Sequence, residues 1–131
     1  NPQKIRSTIE NAAFVNKLSV EHGGFGQWVA DWDPDDVVGL WEYLKKHGSR
    51  LGGATGPRVL RHLGKDTFIL TNDVEGHLTA QGILTGKATS KKQMKLAQDA
   101  FVAWRNASGR SFAEISAVLA CSFGEVYHWN R

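Results

Sequence analysis

Apolar positions recur along this chain mostly at the three- and four-residue steps of helices, and the architecture they predict is all-α. Ile5, Ile9, Ala12, Ala13, Val15 or Asn16, and Val20 fall near one helical stripe. Pro2 suits a first turn and Gly23-Gly24 stops the run, so a helix is expected from about Gln3 to His22. Phe25, Trp28, Val29 and Trp32 predict a short second helix. Asp33 then offers a cap, with Pro34 at the first helical position and Asp35 and Asp36 favouring the dipole. The third helix runs to about His47, with Val37, Leu40, Trp41 and Leu44 on its apolar side.

A glycine-rich turn, Leu51 to Arg58, follows, and a helix carrying Val59, Leu60 and Leu63 starts at Pro57 and ends at Gly64. Thr67 to Thr71 is too short for a strand without an obvious pairing partner and is expected as an extended linker. Beyond it, helices are expected from Asn72 to Gly82, from Ser90 to about Ala107, and from Ser111 through Leu119 and Cys121. Ser90-Lys91-Lys92-Gln93 and Ser111-Phe112-Ala113-Glu114 both have the order of a capping box. No segment repeats and none is of low complexity.

The 131 residues fit one helical domain, with a helix-hairpin-helix at about 34–64 and C-terminal helices at about 72–122. A single cysteine, Cys121, excludes an intrachain disulfide and a multi-cysteine zinc site, and points to a reducing compartment. No apolar run nears the ~20 residues of a membrane span, and the start of the chain lacks a signal-peptide pattern. The expectation is a cytoplasmic protein without a membrane partner. Because the first residue is Asn1 and a helical pattern opens at once, the chain is expected to be the later part of a longer protein.

Net charge is only +3, yet the basic residues are concentrated. Lys45, Lys46, Arg50, Arg58, Arg61 and Lys65 surround the glycine turn, and no acidic residue lies between Lys45 and Lys65. Glycines let a phosphate approach backbone N–H groups, and the helix that follows presents unpaired donors and a positive dipole end. Such a run makes nucleic acid the first partner to consider. The plainer alternative is a tight helix connection in which Gly52 and Gly53 cap one helix and Pro57 begins the next.

Asp73 lies one linker downstream, where a first-turn carboxylate can stabilise a developing oxocarbenium ion or orient a water. Its plainer role is to satisfy the N–H groups and dipole of its own helix. Together the hairpin and the aspartate resemble the helix-hairpin-helix DNA glycosylases, and more closely the DNA-3-methyladenine glycosylase I family. Lys4-Ile5-Arg6 with Asn11-Ala12, Leu44 to Gly48, Gly52 to Gly56, Asp66 to Leu70, Asn72-Asp73-Val74, Ala88 to Lys91 and Gly109 to Ser116 carry the likeness in family order.

The resemblance implies a helical bundle incomplete at its N-terminus, because the family's N-terminal helices, with a base-contacting glutamate and pocket aromatics, have no counterpart. It implies hydrolysis of the N-glycosidic bond of an alkylated purine, such as 3-methyladenine, flipped out of double-stranded DNA. Such a base is already a good leaving group, so selective binding supplies much of the discrimination. Gly52, Gly53, Thr55, Gly56 and Arg58 would form the phosphate clamp, with Lys46, Arg61 and Lys65 beside it, and Asp73 would be catalytic.

The family's zinc site does not carry over, since Val74 and Leu78 stand where its His and Cys ligands would fall; His77 is only nearby. Neither a metal nor a cofactor is expected. Trp41 and Tyr43 are candidates for base stacking, although Trp41 also reads as core, as do Trp28 and Trp32. His22 and His47 suit helix C-termini, while His62 faces either phosphate or solvent. Tyr127, His128 and Trp129 either cover a groove or pack on the body. Two other readings stay open: a non-catalytic DNA-binding module, and an interaction domain whose apolar surface seeks a missing half or a second copy.

Overall fold

Helix caps set most of the boundaries in the computed structural model, which describes residues 1–129, with side chains through Cys121. The described residues form helices α1 Pro2–His22, α2 Phe25–Asp31, α3 Val37–His47, α4 Thr55–His62, α5 Asn72–Ala80, α6 Lys91–Ser108 and α7 Phe112–Trp129, and contain no strand. The class is all-α. Two compact units divide the chain, Asn1–Lys65 with α1 to α4 and Asp66–Arg131 with α5 to α7.

In the first unit, Asn1 accepts from the Gln3 N–H at 3.0 Å and starts α1, and Gly23 ends it in the left-handed region at φ 78°. α1 packs against α2 through its C-terminal part, where Leu18 is buried and Phe14 and Val15 are half-buried. The rest of the predicted stripe is not covered: Ile5, Ile9 and Val20 are 61, 64 and 79% exposed. Length explains much of this. A helix of 21 residues extends about 30 Å, whereas one of 7 residues extends only about 10 Å.

The start of α3 differs from expectation. Asp33 closes a turn, its carboxylate accepting from the Asp35 N–H at 2.9 Å and its carbonyl from the Asp36 N–H at 3.0 Å. The indole N–H of Trp32 donates to the Asp36 carbonyl at 2.8 Å. Asp36 is thereby placed as the true cap, accepting from the Gly39 N–H at 3.2 Å. α4 also begins earlier than expected, at Thr55, which puts Pro57 third in the helix. Its missing N–H is still harmless there, since first-turn donors have no partner inside a helix.

The second unit closes over phenylalanines. Phe68, in the extended segment before α5, stacks on Phe101 of α6 at 4.2 Å and 6°. Phe112 of α7 meets both edge-on, at 5.7 and 6.1 Å, and all three rings are fully buried. Thr67 to Thr71 remains an extended linker.

Asp66 ties this linker to α7 by accepting from the Phe112 and Ala113 N–H groups at 2.9 and 3.0 Å. Ser111 and Glu114 complete a capping box at the same helix start, with Ser111 Oγ accepting from Glu114 N–H at 3.1 Å. Only half of the other box forms. Ser90 accepts from the Gln93 N–H at 3.2 Å, but the Gln93 amide turns to Thr85, accepting from its N–H at 3.0 Å and donating to its hydroxyl at 3.1 Å. α7 continues past Cys121 to Trp129, and the side chains of Tyr127, His128 and Trp129 lie outside those described.

Candidate nucleic-acid interface

The basic hairpin lies wholly within the first unit. α3 stops at Gly48, whose N–H returns to the Leu44 carbonyl at 2.8 Å, so Gly48 holds the capping place for which Gly52 and Gly53 were the alternatives. Ser49 comes next, and Asn11 of α1 engages both sides of its backbone. The Ser49 N–H donates to Asn11 Oδ1 at 2.6 Å, and Asn11 Nδ2 donates to the Ser49 carbonyl at 2.9 Å. The Ser49 hydroxyl also meets that of Ser7 at 3.2 Å.

Arg50 then takes a left-handed conformation, φ 58°, the one non-glycine residue with positive φ among those described. For a residue with a Cβ this costs roughly 1–2 kcal/mol, so the surroundings must hold it. Gly53 makes the second left-handed step at φ 60°. The Thr55 N–H returns to the Gly52 carbonyl at 3.3 Å, and the Arg58 N–H bonds the Ala54 carbonyl at 3.1 Å as α4 begins.

The residues expected in the clamp divide by environment. Gly53 is exposed, with open space where a side chain would stand, and Thr55 and Arg58 are exposed in the first turn of α4. Gly52 is half-buried beside Lys45, whose Cγ would lie 3.4 Å from an added Cβ. Gly56 is buried, and a Cβ there would stand 2.6 Å from the Leu51 carbonyl oxygen. Close packing of the turn on α4 is therefore enough to require that glycine.

The cations also separate. Lys45, Lys46, Arg50 and Arg58 are exposed, whereas Arg61 is half-buried. The Lys65 ammonium donates to the carbonyls of Trp32 at 2.7 Å and Ala30 at 3.4 Å, binding the C-terminal end of α2. Lysine at such an end is favoured by the helix dipole, which gives Lys65 a structural use that its place in the basic run did not reveal.

Trp41 is buried at 7% exposure, so of its two readings the core one matches. Tyr43 is half-buried at the centre of an aromatic group, with ring centroids 4.3 Å from His47, 5.0 Å from Trp28, 5.8 Å from Trp32 and 6.2 Å from Phe14. Trp28 and Trp32 meet edge-on at 5.5 Å, and both serve the packing of this unit. His22 lies 6.2 Å from Trp28, while His62 is exposed.

Asp73 belongs to the second unit, as the second residue of α5, and is exposed. Thr71 performs the capping, accepting from the Val74 N–H at 3.4 Å. Val74 and Leu78 are buried on the inner side of α5, and His77 keeps a buried Nδ1 with no hydrogen-bond partner. Among the described residues no group of three or more His, Cys, Asp or Glu side chains converges as a metal site, and no helix is long and apolar enough to cross a membrane. No protein-family model, curated protein or solved structure matches the chain.

Proposed function

We propose that this chain binds double-stranded DNA through the hairpin between α3 and α4, as part of a helix-hairpin-helix DNA glycosylase acting on alkylated purines. The observation that carries the reading is the hairpin itself. Its turn is held in an ordered shape by Asn11 and by two left-handed residues, and it is bordered by the exposed cations Lys45, Lys46, Arg50 and Arg58. Exposed cations along an ordered turn suit a phosphate backbone, which supplies affinity without reading sequence. In the full reaction Asp73 would stabilise positive charge on the sugar as the base departs.

Exposure of Asp73 favours a second reading, a DNA-binding module without catalysis. A solvated carboxylate exerts only about 1 kcal/mol on a charge 4 Å away, far less than in a water-excluded site. Duplex binding followed across a salt series tests the shared part. Arg58→Ala should weaken affinity equally on all sequences and flatten the log–log salt slope by roughly one unit. An unaltered slope and affinity would remove Arg58 from the interface. Release of 3-methyladenine from methylated duplex then separates the two readings: excision supports the glycosylase, and tight binding without excision supports the module.

A further inference from the structure

We infer that Asn11 is a positioning residue for DNA binding, acting through the Ser49 peptide to hold the basic turn in its binding shape before DNA arrives. The inference rests on the reading of the hairpin as the DNA contact. A carboxamide presents one acceptor and one donor at the spacing of a peptide's own N–H and carbonyl, and Asn11 uses both on a single residue 38 positions away. Its base is firm: α1 is capped at both ends and packed against α2. Immediately beyond the gripped residue comes Arg50 in its left-handed conformation, followed by Gly52 and Gly53. Without the latch, nothing local favours that conformation at Arg50, because an arginine offers no glycine-like freedom and no short polar side chain to bond its own backbone.

The effect on binding follows from preorganisation. A turn already ordered in the free protein loses little freedom when phosphate docks, whereas a loosened one must be ordered by the binding step. Asn11 is neutral, so its removal leaves the number of neutralised phosphates unchanged. Affinity should therefore fall by the same factor at every salt concentration, with the slope retained. That behaviour contrasts with Arg58→Ala, which removes a charge and flattens the slope.

The test measures duplex affinity across salt for the wild-type chain, Asn11→Ala, Asn11→Asp and Arg58→Ala, together with amide exchange at residues 52–56 of each free protein. Asn11→Ala should lose about tenfold in affinity at all salts, the scale expected when two hydrogen bonds that organise a site are lost, and the Thr55 amide should exchange faster. Asn11→Asp keeps the shape and the acceptor for Ser49 N–H but sets an oxygen against the Ser49 carbonyl. It should likewise speed exchange of the Thr55 amide, and its added negative charge should also weaken phosphate binding, so the exchange reading, not its affinity, repeats the alanine test. A merely structural Asn11 would lower the melting temperature and leave the affinity of the folded fraction and the turn's exchange unmoved, which overturns the inference. If Arg58→Ala weakens binding while Asn11→Ala binds like wild type, the latch fails and the hairpin reading stands. If the wild type itself shows no salt-dependent duplex binding, both fall together.

Discussion

The two units differ in how far their largest aromatic groups are sealed. In the second, Phe68, Phe101 and Phe112 are sealed at 0% exposure, with the Arg105 guanidinium 4.7 Å above the Phe112 ring. In the first, Phe14, Phe25, Trp28, Trp32 and Tyr43 touch one another in sequence yet are all only half-buried. A closed apolar interior gives stability, whereas half-covered rings leave apolar surface open to contact at some expense of burial. On the proposed DNA-binding reading, the first unit would supply the contact surface and the second a scaffold.

The largest effect should therefore come from the second unit's phenylalanines. Phe101→Ala removes a ring stacked on one neighbour and met edge-on by another, and a loss of about 3–5 kcal/mol is expected. Tyr43→Ala, in the half-buried group, should cost no more than about 1–2 kcal/mol, because part of its surface already meets water. Chemical denaturation of both variants checks the contrast. Equal losses would mean that the first unit depends on its aromatic group as much as the second does on its core.

A middle-sized effect is expected at Asp66. Its two carboxylate oxygens accept from consecutive N–H groups at the start of α7, next to the positive end of that helix. Asp66→Ala should cost about 1–3 kcal/mol, since it removes a charged cap and leaves donors without partners. Asp66→Asn should recover part of the loss by keeping one acceptor. Thermal melting that ranks asparagine level with alanine would mean that one hydrogen bond alone, without the charge and its second partner, does no capping.

Caps also mark how far the sequence was readable. Ser111 with Glu114, and the glycines at 23 and 82, act locally, and the helix ends they announce are found close to where they are expected. Asp33 misled because four acidic or proline positions in a row offer more than one cap. The indole of Trp32 bonds the Asp36 carbonyl four residues on, a side-chain contact that the acidic run itself does not signal. At the candidate interface the turn and its cations were legible from composition. The Asn11 grip, the left-handed Arg50 and the diversion of Lys65 to α2 were not, because each depends on a partner at least 33 positions away or on a conformation that arginine rarely takes.

Gly53 gives a smaller change in stability and a clear change in binding. A Cβ there meets no neighbour within 4 Å, so the cost of valine starts from the positive φ, roughly 1–2 kcal/mol for a residue with a Cβ. Duplex affinity should fall further than that of Arg58→Ala, since a reshaped turn displaces Arg50 and Arg58 together. Gly56→Ala offers the contrast inside the same turn, because its Cβ would press on the Leu51 carbonyl and affect stability first. Melting and binding measured side by side on the two variants distinguish a glycine needed for the interface from one needed for packing. If both lose stability and affinity in the same proportion, that distinction disappears.

The smallest change in stability is expected at Asp73, where Thr71 already caps the helix and the aspartate contributes only its charge near the N-terminal end of α5. Asp73→Asn should shift stability by about 0.3–1 kcal/mol at low salt, and less as salt screens the dipole. Its weight would lie in the chemistry. If Asp73 stabilises a sugar cation, single-turnover release of 3-methyladenine should fall by far more than duplex affinity does, since the interaction develops only as the glycosidic bond breaks. A release rate equal to that of the wild type would reduce Asp73 to a first-turn charge and leave the DNA-binding module as the better account. A loss confined to release, with melting and affinity preserved, would give the second unit a direct share in function.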